Sequence, residues 1–428
     1  MILGPVSLID CLVFVIFLAP QLLLQAGLIR TVLVALKALP FLVIKLPISF
    51  VRDRYFTPEA SRTKFTRDAT AFEDFVVRCV RYAFANIPAG VGRVFFSKHV
   101  ALPFMRWRML RHGYLRCPTY WKEYSYGEGK EKFEGVWIMH EPEQPPDFVL
   151  YYVHGGGFAM GSCFFYLEFL MVWHALLIEA GYKNPAVFAL DYTLVPDDVY
   201  PKQVLETVQG YRHVLDTAKD SSKICVAGDS AGGALVLSLL QELGAQAGNQ
   251  KKKGARPEVR GGLTDPKLPA MGLPRLATLI SPWITLMTHL HSPSEVDFLD
   301  RPTLWKYAYE YAGSMINQYP ASPGNCSDEG LSKASAPERG LHVIYGEEEV
   351  FALDIENFVK RQEKVGVEAT TTRIDGGIHA WPVASLFLSS TAERRLSGLK
   401  NLVGEIRKRS QEKTSSKKGK KSKGKRSD

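Results

Sequence analysis

Apolar residues dominate the first fifty positions of the chain and form two long runs. In the first run, from Val6 to Ile29, the polar residues are Ser7, Asp10, Gln21 and Gln25. A helix over these 24 residues would rise about 1.5 Å per residue and cover the hydrocarbon core of a bilayer. Since neither a basic leader nor a small-residue cleavage pattern accompanies the run, it predicts a retained membrane segment and not a removed signal peptide.

The second run, from Thr31 to Phe50, is apolar but contains Lys37, Lys45, Pro40 and Pro47. The two lysines fall near one face of a helix, which suits a segment lying in the membrane interface with its ammonium groups turned to water. A tight hairpin that enters the membrane and returns is the alternative. We therefore predict that residues 1–50 form a membrane anchor region.

Two conflicting signals leave open the side of the membrane on which the rest of the chain lies. The basic residues near the first run all follow it, and the positive-inside rule then favours the cytosol; they are Arg30, Lys37, Lys45, Arg52 and Arg54. The tripeptide Asn325-Cys326-Ser327 fits the N-glycosylation pattern, which favours a lumenal domain.

From Phe133 onward, short apolar runs of strand length alternate with stretches that have a helical period. The predicted strands are Phe133–His140, Phe148–Val153, Ala186–Leu190, Lys223–Ala227, Leu276–Ile280, His342–Tyr345 and Thr370–Ile374. The predicted helices are Tyr200–Leu215, Ala231–Leu243, Ile355–Val365 and Ala392–Lys408. This alternation indicates an α/β fold with a mostly parallel central sheet and helices on both faces.

Three stretches do not follow this alternation. Residues 51–121 are polar and mixed in character, and residues 282–338 contain an aromatic helical stretch, Trp305–Tyr311; both regions predict elements of a helical cap. Residues 244–272 are rich in Gly, Lys and Gln and predict a flexible surface insertion. With these elements included, a single domain is predicted over residues 51–408.

The net charge of +9 is located at the end of the chain. Residues 407–428 contain eleven Lys or Arg and two acidic residues, so this segment carries the whole excess and the remaining body is neutral. No specific nucleic-acid partner is therefore expected. The tail over residues 409–428 has no apolar residue and is predicted to be disordered, either as a solubilising segment or as one attracted to anionic lipid or RNA.

A glycine-rich motif, Gly228-Asp229-Ser230-Ala231-Gly232-Gly233, lies between a predicted strand and a predicted helix. A serine on so sharp a strand-to-helix turn is pushed out of the sheet, and its hydroxyl then faces a bound substrate. The glycines allow a close approach that side chains would block. We therefore predict that Ser230 is the nucleophile of a serine hydrolase.

A second glycine-rich motif, His154-Gly155-Gly156-Gly157, directly follows the strand that ends at Val153. The backbone N–H groups of Gly156, Gly157 and Ala231 can point at one oxygen atom and form an oxyanion hole. One such donor contributes about 3–4 kcal/mol of transition-state stabilisation. The imidazole of His154 is expected to brace the loop and not to transfer protons.

A serine nucleophile needs a base and an acid, which follow the serine in the order acid, histidine when the serine lies on such a turn. Of the ten histidines, His379 is the one that lies after the last predicted strand, so it is the predicted base. The acid is expected in the loop after Tyr345, where the carboxylates are Glu347, Glu348, Glu349 and Asp354. Asp354 also fits a helix cap, but spacing alone does not separate the four.

Four motifs in this order resemble the hormone-sensitive lipase family of α/β-hydrolases: HGGGF at 154–158, DYTLVP with a later YP over 191–201, GDSAGG at 228–233 and GIHAW around His379. The resemblance covers about residues 90–408. With the N-terminal apolar segment added, the chain is similar to the arylacetamide deacetylase and steryl acetyl hydrolase branch. That resemblance implies the α/β-hydrolase fold, lipophilic and possibly acetylated esters as substrates, and an endoplasmic-reticulum membrane.

One motif departs from the family pattern. The family carries its catalytic Asp in an Asp-Pro-Leu-Arg-Asp-like run, and aligning that run with residues 349–354 brings Glu349 to the position of the Asp. The resemblance thus implies Glu349 as the acid, with Asp354 second. The chain is expected to be a membrane-anchored carboxylic ester hydrolase that needs neither metal nor cofactor. A non-catalytic protein that holds a hydrophobic ligand in the same fold is the alternative.

Overall fold

A single eight-stranded sheet forms the centre of the protein in a computed structural model that describes residues 2–127, 132–251, 263 and 271–411. The strands are β1 (Tyr120–Tyr126), β2 (Phe133–Met139), β3 (Phe148–Val153), β4 (Pro185–Asp191), β5 (Ile224–Asp229), β6 (Leu276–Ile280), β7 (Leu341–Gly346) and β8 (Ala369–Ile374). Their spatial order is β1-β2-β4-β3-β5-β6-β7-β8. Strands β3 to β8 pair in parallel, whereas β2 is antiparallel to both β1 and β4.

All seven predicted strands are confirmed, and β1 is an additional strand that begins at the end of the predicted cap stretch 51–121 and continues to Tyr126. Its sequence, Tyr-Trp-Lys-Glu-Tyr-Ser-Tyr, contains polar residues throughout, and most of its side chains are exposed. The strand lies at the edge of the sheet and pairs with β2 alone. Because both faces of this edge strand are largely exposed to solvent, it lacks the apolar run by which the buried strands are recognised.

The helices follow the strands in the expected alternation. They are α1 (Leu8–Gln21), α2 (Leu28–Pro40), α3 (Leu46–Val51), α4 (Lys64–Asp68), α5 (Ala71–Asn86), α6 (Ala89–Phe96), α7 (Lys98–Arg111), α8 (Leu167–Glu179), α9 (Lys202–Ala218), α10 (Ser230–Lys251), α11 (Arg301–Ala312), α12 (Glu329–Ala334), α13 (Ala352–Lys364), α14 (Trp381–Leu388) and α15 (Ala392–Gln411).

Helices cover both faces of the sheet and bury two hydrophobic cores. The core on one face joins the sheet to α9, α10 and α13, and the core on the other face joins it to α8 and α15. Successive residues of β3 alternate between them, with Tyr151 in the first core and Tyr152 in the second. Strands β3, β5 and β7 are buried at every position, which explains their continuous apolar sequences.

Two predicted boundaries shift. Helix α10 continues to Lys251, so the predicted insertion 244–272 begins in helix; residues 252–262 and 264–270 of that insertion lie outside the described residues. Helix α15 ends at Gln411, three residues into the predicted tail 409–428. Residues 412–428 of that tail also lie outside the described part of the chain.

The two regions predicted to form the cap contain helices that meet each other. Helix α5 begins with a capping box in which Thr70 and Glu73 each bond the other's backbone N–H. Helix α11 begins after Asp300, whose side chain accepts from the N–H of Thr303. The two helices touch where the ring of Phe84 stands edge-on to that of Tyr307, with centroids 5.7 Å apart.

Two N-terminal helical runs, Leu8–Ala26 and Leu28–Phe56, are long and apolar enough to cross a membrane. They are separated by Gly27, whose φ of +83° is available to glycine at no steric cost. The first run packs against α6 and α7, and the second packs against α5. The N-terminal segment is therefore in contact with the rest of the protein.

Candidate active site

Ser230 lies at the junction of β5 and α10, in the conformation that the glycine-rich motif predicts. Its φ is +53°, a strained value for a residue with a side chain. A Cβ atom on Gly232 would collide with the carbonyl oxygen of Val153 and lie 2.7 Å from the carbonyl carbon of His154. The neighbouring strand therefore fits only because this position carries no side chain.

Gly156 and Gly157 belong to the loop after β3, whose first residues contact this turn. Both have positive φ angles, +117° and +62°. A Cβ atom on Gly157 would lie 2.9 Å from Cδ2 of Tyr307, and one on Gly156 would collide with the carbonyl group of Met160. Backbone N–H groups in such a loop can face a developing oxyanion because no side chain stands in the way.

Asp229 joins the serine turn to the glycine loop, a role that the sequence analysis missed. Its carboxylate accepts hydrogen bonds from the hydroxyls of Tyr152 at 2.6 Å and Tyr166 at 2.7 Å, and from the N–H of Gly155 at 2.8 Å. Burial raises the pKa of Asp229, while the two tyrosine hydroxyls act in the opposite direction. The signal in the sequence was a carboxylate directly before Ser230 in an otherwise small-residue motif.

His154 makes the contacts of a bracing residue. Its Nδ1 lies 2.7 Å from the carbonyl oxygen of Gly155, and its ring stacks on that of Tyr192 with centroids 4.4 Å apart. The Tyr192 hydroxyl donates to the carbonyl oxygen of His154 at 3.1 Å. Burial lowers the pKa of His154 to about 4, so the ring is neutral at physiological pH.

His379 and Glu349 come together at the ends of two neighbouring strands, β7 and β8. Nδ1 of His379 lies 4.0 Å from Oε1 of Glu349, and neither atom has a hydrogen-bond partner among the described residues. The other carboxylate oxygen of Glu349 accepts from the hydroxyl of Ser281 at 2.6 Å and from the N–H of Gly346 at 2.9 Å. Two fixed bonds thus direct the free oxygen toward the imidazole.

Burial disfavours the charged forms of both groups. It lowers the pKa of His379 to about 3. It raises the pKa of Glu349 well above its usual range, and the nearby carboxylate of Asp297 acts in the same direction. The imidazole is therefore neutral in the resting protein and can accept a proton.

Asp354, the second choice for the acid, is held elsewhere. One of its oxygens accepts from the N–H of Thr285 and the other from the Thr285 hydroxyl, both at 3.0 Å. The nearest histidine nitrogen recorded for it is Nε2 of His291, at 3.9 Å. Asp354 thus connects α13 to the segment after β6.

The two remaining acids of the loop also have other partners. Glu347 accepts from the N–H of Gly376 at 3.1 Å. Glu348 accepts from the N–H groups of Lys64 at 3.0 Å and Phe65 at 3.2 Å, at the start of the cap helix α4. Glu349 is therefore the one of the four acids with a recorded contact to His379.

Two side chains between β6 and α11 clamp the acid loop to the histidine loop, and both were missed from the sequence. The Ser281 hydroxyl that donates to Glu349 also accepts from the N–H of Ala380 at 2.9 Å. Asp297 accepts from the N–H of Val350 at 2.8 Å and from that of His379 at 3.2 Å. Ser281 directly follows a buried strand, which is a readable signal, but nothing in the sequence marks Asp297.

The candidate site is closed to solvent. Ser230 and His379 are 6% and 2% exposed. Tyr307 covers the glycine loop, and the rings of Phe298 and Phe351 stand edge-on to the imidazole at centroid distances of 5.5 and 5.2 Å. A cavity of about 710 Å³ reaches the backbone of residues 376–378, but its lining does not include Ser230, His379 or Glu349.

Two family models match this chain. One, described as "alpha/beta hydrolase fold", matches residues 150–383, which contain Ser230, Glu349 and His379. The other, described as "Steryl acetyl hydrolase", matches residues 33–257 and so includes most of the second N-terminal run and the first cap region. Each match covers more than half of the chain.

Individual relatives agree with these models. A Schizosaccharomyces pombe protein named as a steryl acetyl hydrolase is 24% identical over 276 residues, which are 61% of this chain and 67% of the relative. A Streptomyces hygroscopicus acetyl-hydrolase is 28% identical over 250 residues, 57% of this chain and 71% of the relative. An esterase structure from the bacterial hormone-sensitive lipase family has a TM-score of 0.55 at 24% identity and covers 79% of this chain and 98% of its own. The roles of the individual site residues stay predictions.

Proposed function

This chain belongs to the alpha/beta-hydrolase family and is a hydrolase of the carboxylesterase type; from that premise we propose that it removes short acyl groups, acetate above all, from lipophilic alcohols at a membrane. Two observations carry the proposal: the approach of the free Glu349 oxygen to His379 and the strained turn that holds Ser230. The names of the relatives support acetyl esters. The resemblance to the deacetylase branch further suggests an endoplasmic-reticulum membrane.

In the proposed mechanism, the Ser230 hydroxyl attacks the ester carbonyl while His379 takes its proton. The carbonyl oxygen becomes an oxyanion facing the N–H groups of Gly156, Gly157 and Ala231. Collapse of the intermediate breaks the bond to the alcohol oxygen, which receives the proton from His379. Water then attacks the acyl-enzyme by the same route, which releases the acid and restores Ser230.

Electrostatics explain why a buried Glu is suitable as the acid. In the resting site burial disfavours a charged imidazole. When His379 takes the serine proton, a positive charge develops 4.0 Å from the free oxygen of Glu349. Burial raises the pKa of Glu349, but the positive charge that develops on the imidazole favours the ionised carboxylate. The attraction of that carboxylate to the imidazolium is far stronger in this dry environment than it would be in water. The glutamate also fixes the tautomer, since its oxygen requires a proton on Nδ1 and leaves Nε2 free for the serine.

The path from the N-terminal helices to the site supports a lipophilic substrate. Helix α5 contacts the second run through stacked rings of Tyr82 and Phe41, with centroids 4.1 Å apart. Two residues further along the same helix, Phe84 meets Tyr307, which lies against Gly157. Two cap helices, α5 and α11, therefore connect the apolar second run to the candidate oxyanion loop, which supports access from a lipid phase.

Active-site labelling combined with a substrate profile tests this function. Full-length protein in detergent or vesicles is treated with a fluorophosphonate, and the adduct is located by mass spectrometry. We expect a single adduct on Ser230, absent in Ser230→Ala, and faster hydrolysis of acetyl than of octanoyl esters of the same alcohol. Binding of a steryl acetate without hydrolysis, together with no Ser230 adduct, would instead favour the non-catalytic binder.

A further inference from the structure

The first N-terminal run contacts the hydrolase domain along its whole length. The contacting residues recur every four positions and form one stripe of the helix: Asp10, Phe14, Leu18, Leu22 and Ala26. Phe14 stands edge-on to Phe104 of α7 with centroids 5.1 Å apart, and Leu18 packs with Val94 and Val100. A spacing of four residues is that of a helix lying lengthwise on a surface.

The beginning of this run is fixed by a buried ionic network. Asp10 is fully buried; it lies 3.4 Å from Nη1 of Arg108 and accepts from Nε1 of Trp107 at 3.0 Å. Arg108 donates two bonds to Glu168 of α8, at 2.8 and 2.7 Å, and one to the carbonyl oxygen of Gly4 at 2.7 Å. A buried charge is costly unless it is paired, so these partners hold the first turn against the domain.

The second run is attached to the domain in the same way. The hydroxyl of Tyr82 donates to the carbonyl oxygen of Lys37 at 3.0 Å. Leu46 is 1% exposed, and near the end of the run Arg54 donates to the carbonyl oxygen of Ala69 at 2.7 Å. Contacts thus continue from the middle of the run to its end. A helix that crosses a bilayer loses contact with its own domain, which stays at the membrane surface. Both runs keep that contact.

The opposite face of both runs is apolar and exposed. Of the 29 large hydrophobic side chains that are exposed in the described part of the chain, 20 lie between Leu8 and Phe56. Three exposed basic residues, Arg30, Lys37 and Lys45, accompany them, and there is no acidic residue from Leu28 to Val51. An apolar face with basic residues matches the acyl region and the anionic headgroups of a phospholipid leaflet.

We propose that the two runs lie flat between the hydrolase domain and one leaflet of a phospholipid bilayer, and that neither crosses the membrane. The proposal rests on the proposed function in one respect, that the protein works at a membrane. It revises the sequence-based expectation of a spanning first segment. It also places the turn at Gly27 on the same side of the membrane as the hydrolase domain, whereas a spanning hairpin would place it on the far side.

Cysteine accessibility at this turn distinguishes the two arrangements. Gln25→Cys introduces a reporter at an exposed position two residues before the turn, and Leu353→Cys introduces one at a half-exposed position on the hydrolase domain. Each full-length variant is reconstituted in sealed vesicles of phosphatidylcholine and phosphatidylserine and treated with a membrane-impermeant maleimide before and after detergent. The unsubstituted protein gives the background from its six native cysteines.

We expect Gln25→Cys and Leu353→Cys to be labelled to the same fraction before detergent. Labelling of Gln25→Cys only after detergent, in vesicles whose Leu353→Cys counterpart reacts freely, would overturn the proposal and favour a spanning hairpin. Flotation of the same vesicles on a density gradient is the separate check on membrane binding. Protein that stays at the bottom while Ser230 still reacts with fluorophosphonate would refute membrane association, and the present proposal with it, but not the hydrolase activity.

Discussion

Oε1 of Glu349 and Nδ1 of His379 lie 4.0 Å apart, and each lacks any other hydrogen-bond partner among the described residues. Two unsatisfied buried polar atoms that face each other are costly, and a small side-chain movement converts them into a hydrogen bond. Catalytic hydrogen bonds often tighten only when substrate binds. This relationship makes Glu349 the strongest choice for the triad acid.

The first prediction separates Glu349 from Asp354. Glu349→Gln keeps the volume of the side chain but removes the charge that stabilises the imidazolium, so kcat should fall by up to about 10⁴-fold with little change in KM. Asp354→Asn can still accept from Thr285, and its kcat should stay within a few-fold of the unsubstituted protein. Steady-state hydrolysis of p-nitrophenyl acetate measures both. The assignment is wrong if Asp354→Asn proves the more damaging change.

The second prediction concerns Ser281 as a positioning residue. Ser281→Ala removes one of the two bonds that hold Glu349 and leaves the N–H of Ala380 without this acceptor, so the free oxygen is less firmly directed at the imidazole. We expect kcat to fall by about 10- to 100-fold at unchanged KM. This fall corresponds to a loss of roughly 1.4–2.7 kcal/mol of transition-state stabilisation, because the acid is no longer well oriented. The pH profile of kcat should change as well, because the hydrogen bond from Ser281 lowers the pKa of Glu349 and its loss raises that pKa.

A matched control for Ser281 is available in the same region. Ser322 is also fully buried and accepts from the N–H of Leu286 at 3.0 Å, but it has no recorded contact with Glu349 or His379. Ser322→Ala should cost stability without altering the pH profile or kcat. If the two alanine variants lose kcat equally, Ser281 acts through general stability and not through the acid.

The third prediction is a pH dependence. Burial lowers the pKa of His379 to about 3, and the base is active when it is neutral. Activity is therefore full above this pKa and is lost as pH falls through it. The imidazole should therefore add no step near the usual histidine value of about 6.5 to the kcat/KM profile for p-nitrophenyl acetate between pH 8 and pH 5. Burial raises the pKa of Glu349, so a loss of activity in this range that is absent from Glu349→Gln belongs to the carboxyl group. Circular dichroism at each pH controls for unfolding, and a midpoint near 6.5 that persists in Glu349→Gln would contradict a base that stays buried in the free enzyme.

Much of this fold was predictable from the sequence because most of its strands are buried on both faces. A strand such as β3 is an unbroken apolar run, whereas β8 has the sequence Ala-Thr-Thr-Thr-Arg-Ile and is mostly exposed or half-buried. All seven predicted strands were nevertheless correct. The edge strand β1 was not predicted, since its exposed polar residues match no core pattern. The length of α10 was underestimated because glycine and glutamine near its end are typical of loops as well.

The residues of the candidate site could be predicted from the sequence only where residues that act together are close in sequence. The turn at Ser230 and the glycine loop each occupy a few consecutive positions. The choice among Glu347, Glu348 and Glu349 depends on the direction of each side chain, which spacing does not encode. The clamp of Ser281 on Ala380 joins residues 99 positions apart, and the pairing of Asp297 with His379 spans 82. Such pairs become visible only when the strands are in register.

The fourth prediction concerns the size of the acyl group. The ring of Tyr307 lies against Gly157 and is held there by Phe84, so it fills space beside the candidate oxyanion loop. Tyr307→Leu should open that space and raise the kcat/KM of p-nitrophenyl octanoate relative to acetate by about 10-fold or more, since each accommodated methylene is worth about 1–3 kcal/mol.

Tyr309→Leu, two residues further along the same helix at a side chain 68% exposed, is the matched control and should leave the ratio unchanged. Fluorophosphonate labelling of Ser230 in both variants verifies that the turn at Ser230 is intact. Equal ratios in the two variants would mean that Tyr307 does not bound the acyl site. A rise with Tyr307→Leu alone would identify the cap helix α11, and not the membrane segment, as the element that limits acyl length.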